Sequence, residues 1–558
     1  MGEEAGRTPT DDLTAGPGAP PENDSRAAVV RNTAVMSVGT ALSRITGFLR
    51  LSVAAWALGT HAVANVYTRA NTTPNILYEL ALGGILTSVF VPVFVEWMHT
   101  QGREEAWDVA RRVLTIALVI LGALALVGAL LAPQIMRLYL SDAPPAGREQ
   151  QIELGVFFLR WFMPQIVFYG IGAVAGGLLN AHRRFAAPMF APILNNLAVI
   201  ATLALFGLLR SGQGLSIDSL TLAQKTLLGA GTTFGVAAMT LALWPSLRSV
   251  GFRWHLRFDW GHVAVRRLAR LASWVVVYVV ANQAAFLVVL ILSGRQAEWF
   301  VVYSYAFILF QLPHAIFTVS IFTALLPRMS QAWAERDPDA LRALFSRGVR
   351  DMCVIVVPAA FGYLALAEPI TRAVLRYGEF TAADAELTAR VLRAFALGLP
   401  FFSGFQLLTR TFYAMQDSRT PALVNVAAAV VNVAANLFFL EVAGWGVVGL
   451  ALGHATSYLF SFTVCLAILR RRLRGVGGRE IAATLARVVP AGLLTGLAAV
   501  GTAAVLDRAL GVGSVSEQLL QLGLSVLVGL LVFVVTALIF RIQEADEVRV
   551  AVLRRLRR

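Results

Sequence analysis

The sequence predicts an all-α integral membrane protein with 14 transmembrane helices, arranged as two six-helix lobes (a parallel repeat) plus a C-terminal helix pair. Three observations carry this expectation. The first is composition: 57% of the 558 residues are hydrophobic and 14% are charged, against about 25% charged in a soluble domain. Lipid leaves no water to satisfy an open backbone, so long apolar runs cross it as helices. The second is the number of such runs of about 20 residues, which is fourteen. The third is an internal repeat. With Pro92 set on Pro327, LTSVFVPVFVEW (86–97) lies over FTALLPRMSQAW (322–333), Arg112 meets Arg347, and Pro188 meets Pro421 at nearly the same offset. Parallel repeats related by an axis along the membrane normal are a transporter pattern, with substrate handled between the lobes.

In chain order, residues 1–27 are rich in Pro, Gly and acidic side chains and read as a disordered cytoplasmic tail. No basic stretch leads into a short apolar core and cleavage site, so no signal peptide is expected. The first lobe, 28–250, holds runs at 28–58, 63–97, 108–132, 152–178, 187–208 and 226–249. The second, 265–472, holds runs at 265–293, 297–326, 348–368, 387–414, 420–440 and 446–470. Runs 481–506 and 515–540 lie outside the repeat and make a pair, 481–540. Residues 541–558 form a basic cytoplasmic tail. Arg gathers in alternate loops: Arg183–Arg184, 246–270, 327–350 and Arg470–Arg474. That asymmetry puts those loops and both termini in the cytoplasm. It also accounts for the net charge of +14 without a nucleic-acid partner. REEAWDVARRV (103–113) and DPDALRALFSRGVR (337–350) have the pattern of surface-lying amphipathic helices, the second with Asp337 as N-cap before Pro338. Cys353 and Cys465 sit far apart in apolar runs and read as core packing.

The stretch from Ser43 to Pro92 breaks the apolar pattern. It sets Arg44, Arg50, Arg69, Glu79, Asn65, Asn71 and Asn75 among residues that should lie in lipid. A charge at the bilayer centre costs about 2.5–3.5 kcal/mol or more, so such side chains face a watery cavity or a partner. A polar, net-positive cavity lined by the first two segments is therefore expected. Arg44 and Arg50 lie about 9 Å apart along a helix. Their planar forks suit a diphosphate or polycarboxylate; the competing reading pairs them with Glu79 or with helix-end carbonyls. Asn65 and Arg69 share one stripe of the second segment, and Asn71, Asn75 and Glu79 share another. Pro74 predicts a kink beside the cavity. The second lobe's polar residues are amides and histidines: Asn282, Gln283, Gln311, His314, Asn432, Asn436 and His454. Their ordinary role is hydrogen bonding between helices. No Walker A, no nucleophile–base–acid grouping and no metal-ligand spacing occurs. The chain is thus expected to be a transporter, not an enzyme, with no cofactor and no metal.

The motifs SRITGFLR (43–50), ANTTPNILYELALGGILTSVFVPVF (70–94), LLNAHRRFAAPMFAPILNN (178–196), LRYGEFTAADAE (375–386) and FYAMQDSRTP (412–421) are together similar to those of the MurJ (MviN) family of lipid II flippases. That family lies in the multidrug/oligosaccharidyl-lipid/polysaccharide (MOP) exporter superfamily. The resemblance spans roughly 28–540. It implies fourteen helices in the arrangement above. It also implies export of an anionic lipid-linked substrate, the undecaprenyl-diphosphate glycopeptide of peptidoglycan synthesis, from inner to outer leaflet by alternating access. Cell-wall synthesis proteins are the implied partners. The Arg of the SR pair and the Arg closing the GFxR motif are functional in the family and map to Arg44 and Arg50. Departures stand beside these matches. Asn65 replaces an Asp early in the second helix, Tyr78 replaces an Arg after the PN pair, and Ile308 and Gln311 replace an Arg and a Glu of the eighth helix. Arg69 is extra and is a candidate to restore the lost charge. The expected substrate site is therefore Arg44, Arg50, Arg69, Asn65, Asn75, Glu79 and Gln311. A sodium site that some members build from helices 7, 11 and 12 is not carried over, because helix 7 has no acid here. Two other readings remain open: a flippase for another polyprenyl-diphosphate glycan, and a membrane scaffold that keeps the fold without transport.

Overall fold

The computed structural model describes residues 22–83, 91–182, 184–210, 214–259, 261–511 and 513–544. Among them no strand occurs. The helices are α1 (Glu22–Leu58), α2 (Ala62–Tyr78), α3 (Val91–Thr100), α4 (Arg103–Leu130), α5 (Ala132–Tyr139), α6 (Arg148–Phe162) and α7 (Gln165–Ala181). They continue with α8 (Ala186–Leu209), α9 (Leu222–Leu241), α10 (Trp244–Ser249), α11 (Val263–Leu292), α12 (Trp299–Pro313) and α13 (Val319–Ala334). The last are α14 (Pro338–Leu375), α15 (Ala382–Ala414), α16 (Arg419–Leu437), α17 (Gly446–Arg472), α18 (Gly478–Leu510) and α19 (Val515–Ile539).

Among the described residues, 12 stretches are long and apolar enough to cross a membrane, the first Arg103–Leu130 and the last Val515–Ile539. They coincide with the third to fourteenth runs expected from the sequence. At the first two runs stand α1, and α2 with α3; the tail before Glu22, residues 84–90 and most of the 541–558 tail lie outside the described residues. The membrane-facing surface is apolar as lipid requires: Leu527, Leu530, Leu531 and Val534 of α19 are each more than half exposed.

Local sequence sets where these helices begin. Thr221 with Gln224, Thr381 with Asp384 and Ser514 with Glu517 form capping boxes at α9, α15 and α19. Asp337 caps α14, accepting from the backbone N–H groups of Asp339 and Ala340, with Pro338 in the first turn. Past α13, α15, α17 and α19, Arg336, Gln416, Arg474 and Arg541 take positive φ and close the last turn. Three of the four are arginines, whose charge suits the negative end of a helix dipole.

The two stretches expected as separate surface helices are not separate. Residues 103–113 are the first turns of α4, and 337–350 lie in the cap and first turns of α14. No Pro interrupts either junction, and tertiary contacts draw both into the bundle. Asp108 is buried by Arg112 at 2.7 Å and Arg257 at 2.5 Å. On α14, Gly348 lets Leu325 of α13 approach to a distance that a Cβ would obstruct.

Helices of the first half pack on each other, α1 on α8, α2 on α6, α4 on α7 and α8 on α9. In the second half α14 packs on α15, α15 and α16 on α17, and α11 on α16. α18 lies along α14, with Gly492 and Gly496 against Phe361, and carries α19. Single π-helical turns interrupt the helices at Glu79–Gly83 and His314–Thr318. Their offset is the one that sets Pro92 on Pro327. Such turns gather at functional positions, and the first follows Pro74 in α2. Cys353 and Cys465 are free and buried.

The bundle has two ends. One carries the turns around 102, 184, 250–262, 335–337, 415–418 and 473–477 and is rich in arginine. The opposite end carries 59–61, 131–147, 293–298, 376–381 and 443–445.

Candidate substrate cavity

α1 contributes Ser43, Arg44, Gly47 and Arg50 to the wall of a cavity of about 610 Å³. α2, α7, α8, α9 and α12 complete it. It extends from Leu58, near the opposite end, to Thr40 and Pro188 on the arginine-rich side. Among the described residues, Arg44 and Arg50 are the charged members of its lining, and no carboxylate joins them.

The turn bearing Arg44 is pinned from α8. The Asn196 Nδ2 donates to the Ser43 carbonyl at 3.2 Å and to the Thr46 Oγ1 at 3.0 Å. Arg50 lies within electrostatic range of the hydroxyls of Tyr67, Tyr169 and Tyr305, brought in by α2, α7 and α12. Tyr67 is held by a 2.7 Å hydrogen bond with Thr232 and by edge-on contacts with Phe158 and Phe162 at 5.7 and 5.5 Å. Among the described residues neither Arg44 nor Arg50 has a hydrogen bond or an ion pair. Neither meets Glu79, which is exposed on the π-helical turn after α2, and neither caps a helix end. Arg50 is half-buried and Arg44 is exposed; a cation with a rigid donor fork that is partly shielded from water attracts an anion more strongly than the same charge in bulk solvent.

The other expected site residues are distributed differently. Arg69 is fully buried away from this cavity, and its Nε donates to the Asn65 Oδ1 at 2.8 Å. Asn75 is exposed and donates to the Asn71 carbonyl at 3.3 Å; Asn71 itself lines the cavity. Glu79 and Gln311 are not part of the lining, whereas Ile308 is, so the wall is apolar there. Sequence reasoning missed Asn196 and the three tyrosines. Asn196 closes the quoted stretch 178–196, so a signal was present; the tyrosines read as ordinary core aromatics.

A second cavity, of about 230 Å³, lies among α11, α15, α16 and α17 and is lined by Asn282, Gln283, Asn432 and His454. Several of its polar groups are held by neighbouring side chains. The Asn436 Nδ2 donates to the Asn432 Oδ1 at 3.0 Å, and His454 sits between the hydroxyls of Tyr303 and Tyr458 at 3.1 and 2.8 Å. His314 pairs with the Ser403 hydroxyl at 3.0 Å.

The family profile described as "Lipid II flippase MurJ" matches residues 54–540. The chain belongs to the MurJ lipid II flippase family. Among its relatives, the "Lipid II flippase MurJ" of Burkholderia cenocepacia is 29% identical over 416 residues, covering 74% of this chain and 79% of that protein. The "Probable lipid II flippase MurJ" of Synechocystis sp. is 26% identical over 533 residues, covering 94% and 97%. Among solved structures, one described as "Lipid II flippase MurJ, inward closed conformation" matches with a TM-score of 0.72 at 19% identity, over 91% of this chain and 99% of that one. An inward-facing multidrug resistance MATE family transporter of the MOP superfamily matches with a TM-score of 0.63 at 14% identity, over 77% and 94%. These two likenesses show the fold.

Proposed function

We propose that this chain moves lipid II, the undecaprenyl-diphosphate-linked precursor of peptidoglycan, from the inner to the outer leaflet of the plasma membrane. The observation that carries this reading is the pair Arg44 and Arg50, present in a cavity without a protein partner. A membrane protein that only holds its helices together has no reason to line one cavity between apolar segments with two unpaired cations. A diphosphate supplies the missing charge, and bidentate forks fit its oxygens. Transport proceeds by alternating access between two six-helix lobes, 28–250 and 265–472, within a fourteen-helix chain. Both termini and the arginine-rich end lie in the cytoplasm, as the distribution of Arg in the loops supports. The glycopeptide headgroup occupies the cavity, and α18 and α19 shelter the polyprenyl tail outside it. The chemistry asked of the protein is binding and release; no bond is made or broken.

The test is replacement of the lipid II flippase in a strain where that activity is placed under conditional control. Growth and normal shape on depletion support the proposal. Failure of a stably inserted chain to restore growth, together with transport of a different polyprenyl-diphosphate glycan in vesicles, overturns the choice of headgroup.

A further inference from the structure

Arg69 was expected in the substrate cavity and lies elsewhere, and its surroundings assign it another task. It stands on α2, in the first half of the chain, and is 0% exposed. Two of its acceptors belong to the second half: its Nη1 donates to the Leu290 carbonyl and its Nη2 to the Ser293 Oγ at 3.1 Å. Its guanidinium carbon lies 4.8 Å from the centre of the Phe300 ring, also in the second half. On its own side it holds the Asn65 Oδ1 at 2.8 Å and the Tyr139 carbonyl at 3.3 Å. The Leu290 carbonyl is among the last four of α11, which lack partners within the helix and carry its negative pole. Arg69 therefore caps a helix of the other half.

The same end of the bundle carries further polar side-chain contacts between the halves. Thr60 donates to Asp384 at 2.6 Å, His61 meets Glu379 at 3.3 Å, and Arg295 meets Asp142 at 3.3 Å. The backbone is in contact as well: the Glu379 N–H donates to the Trp56 carbonyl at 3.1 Å. Gly59 and Gly378, both at positive φ, face the opposing loop so closely that a Cβ would come within 2.3 Å of the Glu379 carbonyl oxygen and 2.4 Å of that of Trp56. These five side-chain hydrogen bonds and ion pairs, each joining a residue before 250 to a residue after 263, lie together at this end.

We propose that Arg69 is the lock of this seam: a positioning residue that holds the opposite end shut by capping α11, and that never touches substrate. The choice of partners suits a contact that must open repeatedly. Parting an ion pair inside a protein strands two charges. Parting Arg69 from α11 strands one, and leaves carbonyls that water satisfies at once. A fixed structural cation has no need of that property, and a gate does. The inference rests on the alternating-access reading.

The test uses the full-length chain with Cys353 and Cys465 replaced by Ala and a reporter Ala54→Cys, a residue that lines the cavity beneath the seam. An impermeant thiol reagent is applied from the opposite end, and labelling is scored per folded molecule. Arg69→Met should raise the labelling rate by about tenfold or more, the lower end of what loss of charge-assisted hydrogen bonds gives. Arg69→Lys, a point charge without the fork, should fall between. Unchanged labelling with less folded protein makes Arg69 a packing residue and overturns the lock. Unchanged labelling with lost flipping returns it to the substrate site and overturns the lock equally. Where Arg69→Met does not insert, Ser293→Ala removes one acceptor and keeps the charge; a smaller rise supports the lock and no rise overturns it. A Thr60→Cys, Asp384→Cys cross-link separates the two readings. Flipping through a closed cross-link removes alternating access, and the lock with it; flipping that stops and returns on reduction upholds the seam as the gate.

Discussion

Replacing Arg50 tests the cavity most directly, because the structure separates its effect on folding from its effect on transport. Among the described residues Arg50 has no hydrogen bond or ion pair, so Arg50→Ala strands no protein partner. Its effect on stability should stay within about 0.5 kcal/mol, as for substitutions that touch no special feature. Transport should respond differently. A hydrogen bond to a charged group contributes about 1.5–3 kcal/mol, and each 1.36 kcal/mol is tenfold in rate. Loss of the Arg50 contacts should therefore lower flipping at limiting substrate by about 10- to 100-fold. Arg44→Ala should do the same. Arg50→Lys keeps the charge and loses the fork, and should fall between wild type and alanine. Purified variants in proteoliposomes, with a fluorescent polyprenyl-diphosphate glycopeptide and a thermal melt on the same samples, give both numbers. The reasoning is refuted if the alanine variants melt several degrees lower and flip normally per folded molecule. It is also refuted if Glu79→Gln restores either variant, since that would mean an Arg–Glu79 pair.

Three further outcomes follow from the fold. With Cys353 and Cys465 replaced, Asp218→Cys should react with an impermeant thiol reagent on intact cells and Gly478→Cys should not; the reverse pattern inverts the topology. Gly492→Leu drives a side chain into Phe361 and Pro358 of α14; overpacking costs about 1–3 kcal/mol, seen as a lower melting temperature and easier proteolysis of the α18–α19 pair, and an unchanged melt would refute the docking. At Asp417, burial disfavours the ionised form, but hydrogen bonds from Thr420 and Arg472 outweigh it and hold the carboxyl below its ordinary value of 3.8. A depressed native value means stability present above 3.8 and lost as pH falls through the lower native value. Asp417→Asn should thus melt lower than wild type at neutral pH, with the gap narrowing only in strong acid; a gap that widens in acid refutes the sign.

The helices were legible because lipid imposes one rule on every crossing segment, and the runs of the sequence obey it. Arg44 and Arg50 were legible for the same reason: a charge in an apolar run must be accounted for. Arg69 gave the same signal and had the other solution. Helical spacing places it on a face of α2 but says nothing about what lies across that face. Its chief acceptors are a backbone carbonyl and a serine more than two hundred residues away, and neither announces itself in a sequence. The supposed surface helices failed on a related point. A charged, periodic stretch at a membrane boundary looks alike whether it lies on the surface or continues a crossing helix. Asp108 decides it, through contacts with the 250–262 connector that no local pattern contains.

The source of energy follows from the charges the cavity holds. It offers two arginines and, among the described residues of its lining, no carboxylate that could carry a proton or a sodium ion against the cargo. The cargo itself is charged. A diphosphate bears about two negative charges, and moving each outward across an inside-negative membrane releases about 2.3 kcal/mol per 100 mV. That is about 4.6 kcal/mol per headgroup at 100 mV, enough to shift a two-state equilibrium by about three orders of magnitude. With the diphosphate held by Arg44 and Arg50 the loaded cavity is close to neutral, so the field acts on the empty protein, where it pulls the bare arginines inward and favours the return step of each cycle. Dissipating the potential at constant pH and sodium gradients should therefore slow flipping in proteoliposomes, and reversing it should slow flipping further. Flipping that ignores the potential and follows an ion gradient would refute this, and would require an ion site outside the arginine-lined cavity.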